Sequence, residues 1–235
     1  MSTPILELVD VHAAYGRIEV LRGISFKVPK GSVVALLGPN GAGKTTTLKV
    51  ASGQMGVTAG QIKVGGQVVN GAPSDALARV GMCTVPEGRG VFPNLTVEEN
   101  LRLHAFAGVS EADVKERAFA RFPRLSERRS QLAGSMSGGE QQMLALARAL
   151  ATDPALVLCD ELSMGLAPLI VKELYEVVAQ LAQEGVSVLV IEQFAKTALA
   201  VSDYGVVMVN GKVTAVGQPH DLDEAVAAAY HLESS

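Results

Sequence analysis

The stretch SVVALLGPNGAGKTT, residues 32–46, limits the possible folds more than any other part of the chain. Its apolar run has strand length and no polar interruption, which reads as a strand buried on both faces. It leads directly into GPNGAGKTT, which fits G-x-x-x-x-G-K-[ST] from Gly38 to Thr45. Glycines allow the backbone to wrap an anion, so that successive N–H groups and a helix expected to begin near Gly43 meet phosphate oxygens. Lys44 supplies a positive charge for the β and γ phosphates, and the Thr45 hydroxyl can ligate Mg²⁺. Gly38, Pro39, Asn40, Gly41, Ala42, Gly43, Lys44, Thr45 and Thr46 are therefore candidate nucleotide-binding residues, with ATP and Mg²⁺ as the cofactors.

A second apolar run, ALVLCDELSMG (155–165), ends on two adjacent carboxylates, Asp160 and Glu161. Burying an unpaired carboxylate is costly, so something cationic is expected against them. In a P-loop fold the strand carrying Asp160 is expected beside the P-loop strand, with its C-terminal end at the nucleotide. Asp160 then holds Mg²⁺, directly or through water, and Glu161 accepts a proton from attacking water.

LELVDV and IEVLRGISFKV alternate as strands, GQIKVGGQVVNG gives two short strands with glycine turns, and VGMCTVP is a strand stopped by Pro86. Residues 87–154 read as mostly helical, with a capping box in Thr96 and Glu99 and a cap at Ser110. ALVLCD, VSVLVIE and YGVVMV then alternate with a helix started by Pro168 and another near 195–201, which predicts a parallel α/β core. VNGKV closes a hairpin through Asn210 and Gly211. With 48% hydrophobic and 19% charged residues in 235, disorder of the whole chain is excluded. The longest apolar runs fall well short of the roughly 18 residues of a membrane helix, and MSTPILELVD lacks a basic n-region, so a soluble chain without a cleavable signal is expected. A net charge of −4 without a basic block argues against nucleic acid as a partner. Cys83 and Cys159 read as buried free thiols of a reducing compartment and are given no chemistry.

GSMSGGEQQMLALARAL (134–150) begins a helix at Ser137, a good N-cap, with Glu140 completing a capping box and glycines leaving the helix start open to an anion. A chain that already holds a P-loop has no evident need of a second phosphate cradle. The motif resembles the signature of ATP-binding cassette (ABC) proteins, and the resemblance runs from Tyr15 to the C-terminal hairpin. It implies a P-loop NTPase core with a parallel sheet, an N-terminal antiparallel β region and an inserted helical subdomain. Residues 1–86 and 155–235 would form the core with its β subdomain, and 87–154 the helical part. It also implies a head-to-tail dimer in which Ser137, Gly138, Gly139 and Glu140 of one subunit close the ATP held by the other, and adenine stacking on Tyr15.

The chain departs from the commonest cassette pattern at four places. Glu87 stands where a glutamine is usual and is placed at Mg²⁺ through a bound water. Gln193 replaces a histidine that contacts the γ-phosphate; its amide can donate but cannot titrate near neutral pH. Leu162 replaces a proline and Ala167 an aspartate. Together, VPEGRGVFPNLTVEENL, GLAP and the late EQ resemble the shorter ATPase subunit of bacterial branched-chain amino-acid importers. That resemblance implies catalysis by Glu161, Gln193 and Lys44 on the cytoplasmic side of a bacterial plasma membrane. The implied partners are two membrane-spanning permease subunits, a paralogous second ATPase or a second copy, and, indirectly, an extracytoplasmic solute-binding protein. Residues 87–95 are expected to contact the membrane subunit. The alternative is the same role for another solute, such as urea, amides or other amino acids, because the ATPase never touches the solute. Chromosome-maintenance ATPases carry a long coiled coil that is missing here, cassette-type translation factors generally have two cassettes and basic surfaces, and intact Lys44, Asp160 and Glu161 oppose a purely structural cassette.

Overall fold

β3 (Val33–Leu37) is buried along its whole length, and its alternating side chains enter cores on opposite sides: Val34 and Leu36 on one, Val33, Ala35 and Leu37 on the other. Such a strand has to lie inside a sheet covered on both faces. The structure, a computed structural model, describes residues 3–88, 90–105 and 109–231. It places β3 third in a six-stranded sheet ordered β10 (Lys212–Gly217), β9 (Tyr204–Val209), β3, β8 (Ser187–Glu192), β7 (Leu156–Asp160) and β6 (Met82–Val85). All pairs are parallel except β9–β10, the expected hairpin, whose Asn210 and Gly211 both have positive φ (49° and 76°).

One face of this sheet is covered by a four-stranded antiparallel sheet, β2 (Ile18–Val28), β1 (Leu6–Tyr15), β4 (Ala59–Val64) and β5 (Gln67–Val68), together with α1 (Lys44–Ala51) and α2 (Ser74–Arg79). Leu8, Ile24, Leu48 and Leu77 meet Leu36, Leu158 and Ile191 there. The other face carries α3 (Val97–Arg102), α4 (Glu111–Arg121), α5 (Pro123–Glu127), α6 (Gly138–Leu150) and α7 (Pro168–Gln183), and towards β9 also α8 (Ala195–Leu199) and α9 (Asp223–His231). The capping box of Thr96 and Glu99 is present, and Ser110 caps α4. Phe106, Ala107 and Gly108, at the end of a stretch expected to be helical, lie outside the described residues. Among the described residues no helix is long and apolar enough to cross a membrane. Cys83 and Cys159 are free thiols, both pushed up in pKa chiefly by burial.

One expectation is overturned. The Asp160 strand, β7, does not lie beside the P-loop strand, β3, because β8 runs between them and pairs in parallel with both. Strands spaced about 4.8 Å apart then put roughly 10 Å between the two outer backbones. The gap leaves room for side chains and phosphate between Lys44 and Asp160, and it brings the end of β8, Glu192 followed by Gln193, to the middle of the site.

Residues 90–96 are fastened rather than loose. The fully buried Asn100 amide accepts from Phe92 N–H (2.8 Å) and donates to the carbonyls of Phe92, Leu95 and Thr96 (3.0, 3.2 and 2.9 Å). Asn100→Ala takes the acceptor from the Phe92 N–H and the side-chain donor from three carbonyls, which keep their backbone bonds from the Leu95, Ala133 and Asn100 N–H groups, and it leaves a cavity in the core. It is expected to cost on the order of 3 kcal/mol in a thermal or denaturant melt and to open residues 90–95 to limited proteolysis.

Candidate functional site

Gly38 begins the P-loop at φ 154°, and a Cβ at this position would come within 2.2 Å of the Met208 carbonyl, so the turn off β3 admits only glycine. α1 starts at Lys44 from Gly43 with no side-chain cap, leaving its first N–H groups to an external acceptor. Lys44 is buried, and its ammonium is folded back onto the carbonyls of Gly38 (2.7 Å) and Pro39 (3.0 Å). These groups together form a cradle for a polyphosphate. Asn40 and Gly41 are exposed at the loop tip, Ala42 and Thr46 are buried, and Thr45 is half-buried one residue after the lysine.

Across β8 stands the acid group. Asp160 is only 4% exposed, and its Oδ1 has no hydrogen-bond partner. Burial, then the charges of Glu161 and Glu87, raise its pKa to about 6 against the opposing pull of Lys44. Glu161 is also raised, by burial and then by Glu87, and it sits at φ +50°, a strained conformation for a non-glycine residue, while its N–H donates to Ile191 O (2.9 Å). Glu87 is exposed but close enough to act on both acids. An orphaned, buried carboxylate oxygen facing a lysine and a phosphate cradle fits a hard divalent cation. Among the described residues no group of three or more His, Cys, Asp or Glu forms a closed cage. Mg²⁺ keeps waters and takes one or two carboxylates together with phosphate oxygens, a demand that one buried aspartate and the P-loop threonine can meet.

The last residue of β8 and the residue that follows it have different surroundings. Glu192, 1% exposed, accepts from Ser163 N–H (2.9 Å), the Ser163 hydroxyl (2.8 Å) and the Tyr175 hydroxyl (2.7 Å), tying the loop after Glu161 to the end of β8. The Tyr175 phenol is pushed up by burial and then by Glu192. Gln193 is half-buried, and its carbonyl accepts from the Tyr230 hydroxyl of α9 at 2.6 Å. Tyr15, at the end of β1, is 47% exposed with Lys49 of α1 near its ring (5.8 Å from the centroid).

The signature residues lie elsewhere. Ser137 and Glu140 form the expected capping box, and the second Glu140 oxygen pairs with Arg128 at 2.9 Å. Against the upward pull of burial, Ser137 and then Arg128 hold the Glu140 carboxyl below its ordinary range. Gly139 is buried against α7, where a Cβ would come within 2.5 Å of Ile170 Cγ2. Among the described residues no hydrogen bond or ion pair joins Ser137–Glu140 to the P-loop. Leu162 is buried in the core and Ala167 is the exposed N-cap of α7.

The loop after β6 is held by α6 as well as by Asn100. Arg148, 8% exposed, donates to the Gly90 carbonyl, and its guanidinium lies over the Phe92 ring at 5.0 Å. Arg89 of this loop lies outside the described residues. A cavity of about 900 Å³ opens between α2, β6 and His104, whose pKa is lowered to about 4 by burial and then by Arg148. Asn100, Arg148, Ser163, Tyr175, Glu192 and Tyr230 were not singled out from the sequence. Glu192 alone had a readable signal, a carboxylate ending the apolar run VSVLVIE just as Asp160 ends ALVLCD.

Comparison with known proteins agrees with this geometry. A family model described as "ABC transporter" matches residues 21–163. The high-affinity branched-chain amino acid transport ATP-binding protein BraG of Pseudomonas aeruginosa is 44% identical over 211 residues, 89% of this chain and 91% of that protein. The probable branched-chain amino acid transport ATP-binding protein LivF of Archaeoglobus fulgidus is 34% identical over 94% of both chains. The solved ADP conformation of an ATP-binding cassette of an ABC transporter superposes with a TM-score of 0.86 at 26% identity, covering 97% of this chain and 99% of the other. A phosphate cradle, an orphaned acid and a separate signature helix thus occur in a chain that belongs to the ABC transporter family, as one of its ATP-binding cassettes.

Proposed function

We propose that this cassette binds and hydrolyses ATP to drive the import of branched-chain amino acids through a membrane complex. The observation that carries the ATPase reading is the buried Asp160 oxygen without a partner, set across β8 from Lys44 and next to Glu161. In this reading Lys44 leaves the Gly38 and Pro39 carbonyls for the β and γ phosphates, the residues from Gly38 to Thr46 present their backbone N–H groups, and Tyr15 offers a ring face to adenine. Thr45 and Asp160, with Glu87 through water, would hold Mg²⁺, which when bound supplies charge neutralisation of the phosphates. Glu161 takes a proton from the water that attacks the γ-phosphorus as the bond to ADP breaks. Its raised pKa makes it a better base than an ordinary glutamate. Gln193 donates its amide to the γ-phosphate.

Ser137, Gly138, Gly139 and Glu140 serve a second cassette, a paralogue or another copy, in a head-to-tail pair. Residues 87–95 contact one of two permease subunits, with the chain at the cytoplasmic side of the membrane. The branched-chain assignment is supported by the likeness to BraG over nearly the whole chain. Co-purification from membranes with a tagged chain, followed by ATPase assay with candidate solutes and their binding proteins, tests it. Stimulation by leucine is the expected result; recovery of soluble partners alone would sink the transport role.

Glu161→Gln is expected to retain ATP binding and to lose on the order of 10²–10⁴-fold in turnover. Near-wild-type turnover would remove the proton-accepting role. Asp160 carries a second expectation, on stability. Its folded pKa of about 6 lies above the ordinary 3.8, so the folded state binds the proton more tightly and loses stability as pH rises from about 4 to 6. Asp160→Asn should therefore stabilise the nucleotide-free protein at pH 8 by on the order of 2–3 kcal/mol, with the gain vanishing near pH 4, while hydrolysis is abolished. A melting temperature at pH 8 no higher than that of the wild type would contradict the account of Asp160 as an uncompensated charge.

A further inference from the structure

The C-terminal helix reaches the reaction site through one side chain. Tyr230, on the last turn of α9, packs its ring against the core of Ala35, Leu37, Ala195 and Ala198. Its Oη donates to the Gln193 carbonyl at 2.6 Å and lies 3.3 Å from the Gly38 carbonyl. These two carbonyls follow Leu37 and Glu192, the last register pair of the β3–β8 ladder. They are therefore the first backbone groups past the point where one strand turns into the P-loop and the other into the segment carrying Gln193. A phenol has one proton to give, so the shorter contact is the bond it makes and the Gly38 carbonyl is the alternative acceptor.

The Gly38 carbonyl also accepts from Lys44 Nζ at 2.7 Å. Movement of Lys44 to a phosphate takes that donor away and leaves the Tyr230 hydroxyl beside one carbonyl that it already holds and one that has just lost a partner. The hydroxyl thus lies against the start of the P-loop and bonds directly to the backbone of Gln193. Glu192, immediately before, is tied to Ser163 and Tyr175, so the end of β8 is held from two sides, and Tyr230 is the tie supplied by the C-terminal helix.

We propose that Tyr230 is a positioning residue for ATP hydrolysis: its hydroxyl fixes the Gln193 backbone beside the P-loop so that the Gln193 amide meets the γ-phosphate. The inference rests on the reading of Gln193 given above. Tyr230→Phe keeps the ring and removes only the hydroxyl. In the full chain assembled with its membrane partners, kcat should fall roughly three- to tenfold, the worth of one hydrogen bond, with KM for ATP changed less than twofold and the melting temperature lowered by only about 2–4 °C. A role in packing alone would not produce that split. Combining the change with Gln193→Ala separates the two readings, because residues acting through one another are not additive. If Gln193→Ala is slow and the double variant is no slower, Tyr230 acts through Gln193. If Gln193→Ala is slow but Tyr230→Phe turns over like the wild type, or the two losses multiply, the Tyr230 inference is wrong while the Gln193 reading stands. Wild-type turnover of Gln193→Ala overturns the Gln193 reading and this inference with it.

Discussion

The site depends on a carboxylate that the fold buries and does not satisfy. Adjacent parallel strands β7 and β8 both end on an acid, Asp160 and Glu192, and both acids are almost fully buried. Glu192 receives three hydrogen bonds from Ser163 and Tyr175, which is how an interior carboxylate is normally made tolerable. Asp160 has an oxygen with no partner, two further carboxylates nearby and Lys44 as the countercharge acting on it. The same chemical group thus fastens a loop at one strand end and stays open to a cation at the next. The difference lies in the donors brought up to each: Ser163 of the loop after β7 and Tyr175 of α7 reach Glu192, and among the described residues none reaches Asp160 Oδ1.

The remaining features follow from that imbalance. Lys44 folded onto carbonyls, an uncapped α1 and a Glu161 held at positive φ are each a cost that a bound Mg²⁺–nucleotide would offset, since it brings anionic oxygens to the donors and a cation to the acids. Apolar packing keeps these groups in place meanwhile. The alternating faces of β3 lock the start of the P-loop between two cores, and β8 inserted between β3 and β7 fixes the width of the gap across which Lys44 and Asp160 act on each other.

What could be read in the sequence was whatever is encoded within a few residues. The P-loop, the capping boxes at Thr96 and Ser137, the Pro168 helix start and the Asn210–Gly211 hairpin each carry their own local signal, and each forms where expected. Strand order carries no such signal: β7, β8 and β9 are separated by similar helical connections, and nothing in their apolar runs says which one pairs with β3. α2 begins from Pro73 without a side-chain cap and so has no start signal in the sequence; α9, with Tyr230, follows the hairpin at which the family resemblance ends. The ties made by Asn100, Arg148 and Tyr230 join residues whose meeting depends on the finished fold. For Tyr230 and Gly38 the separation is 192 residues.

The signature helix bears on a second chain as well as its own. Ser137 and Glu140 satisfy each other, Arg128 takes the remaining Glu140 oxygen, and Gly139 presses α6 onto α7. The start of α6 is thereby satisfied within its own surroundings, and among the described residues no hydrogen bond or ion pair ties Ser137–Glu140 to the P-loop of its own chain. A helix N-terminus placed away from its own P-loop can meet a phosphate only if another chain presents it. In the proposed pairing that phosphate is the one cradled by the other cassette. Closing the pair would then set a helix N-terminus against the negative charge that Lys44 alone does not balance, so assembly and nucleotide binding would relieve the same electrostatic deficit.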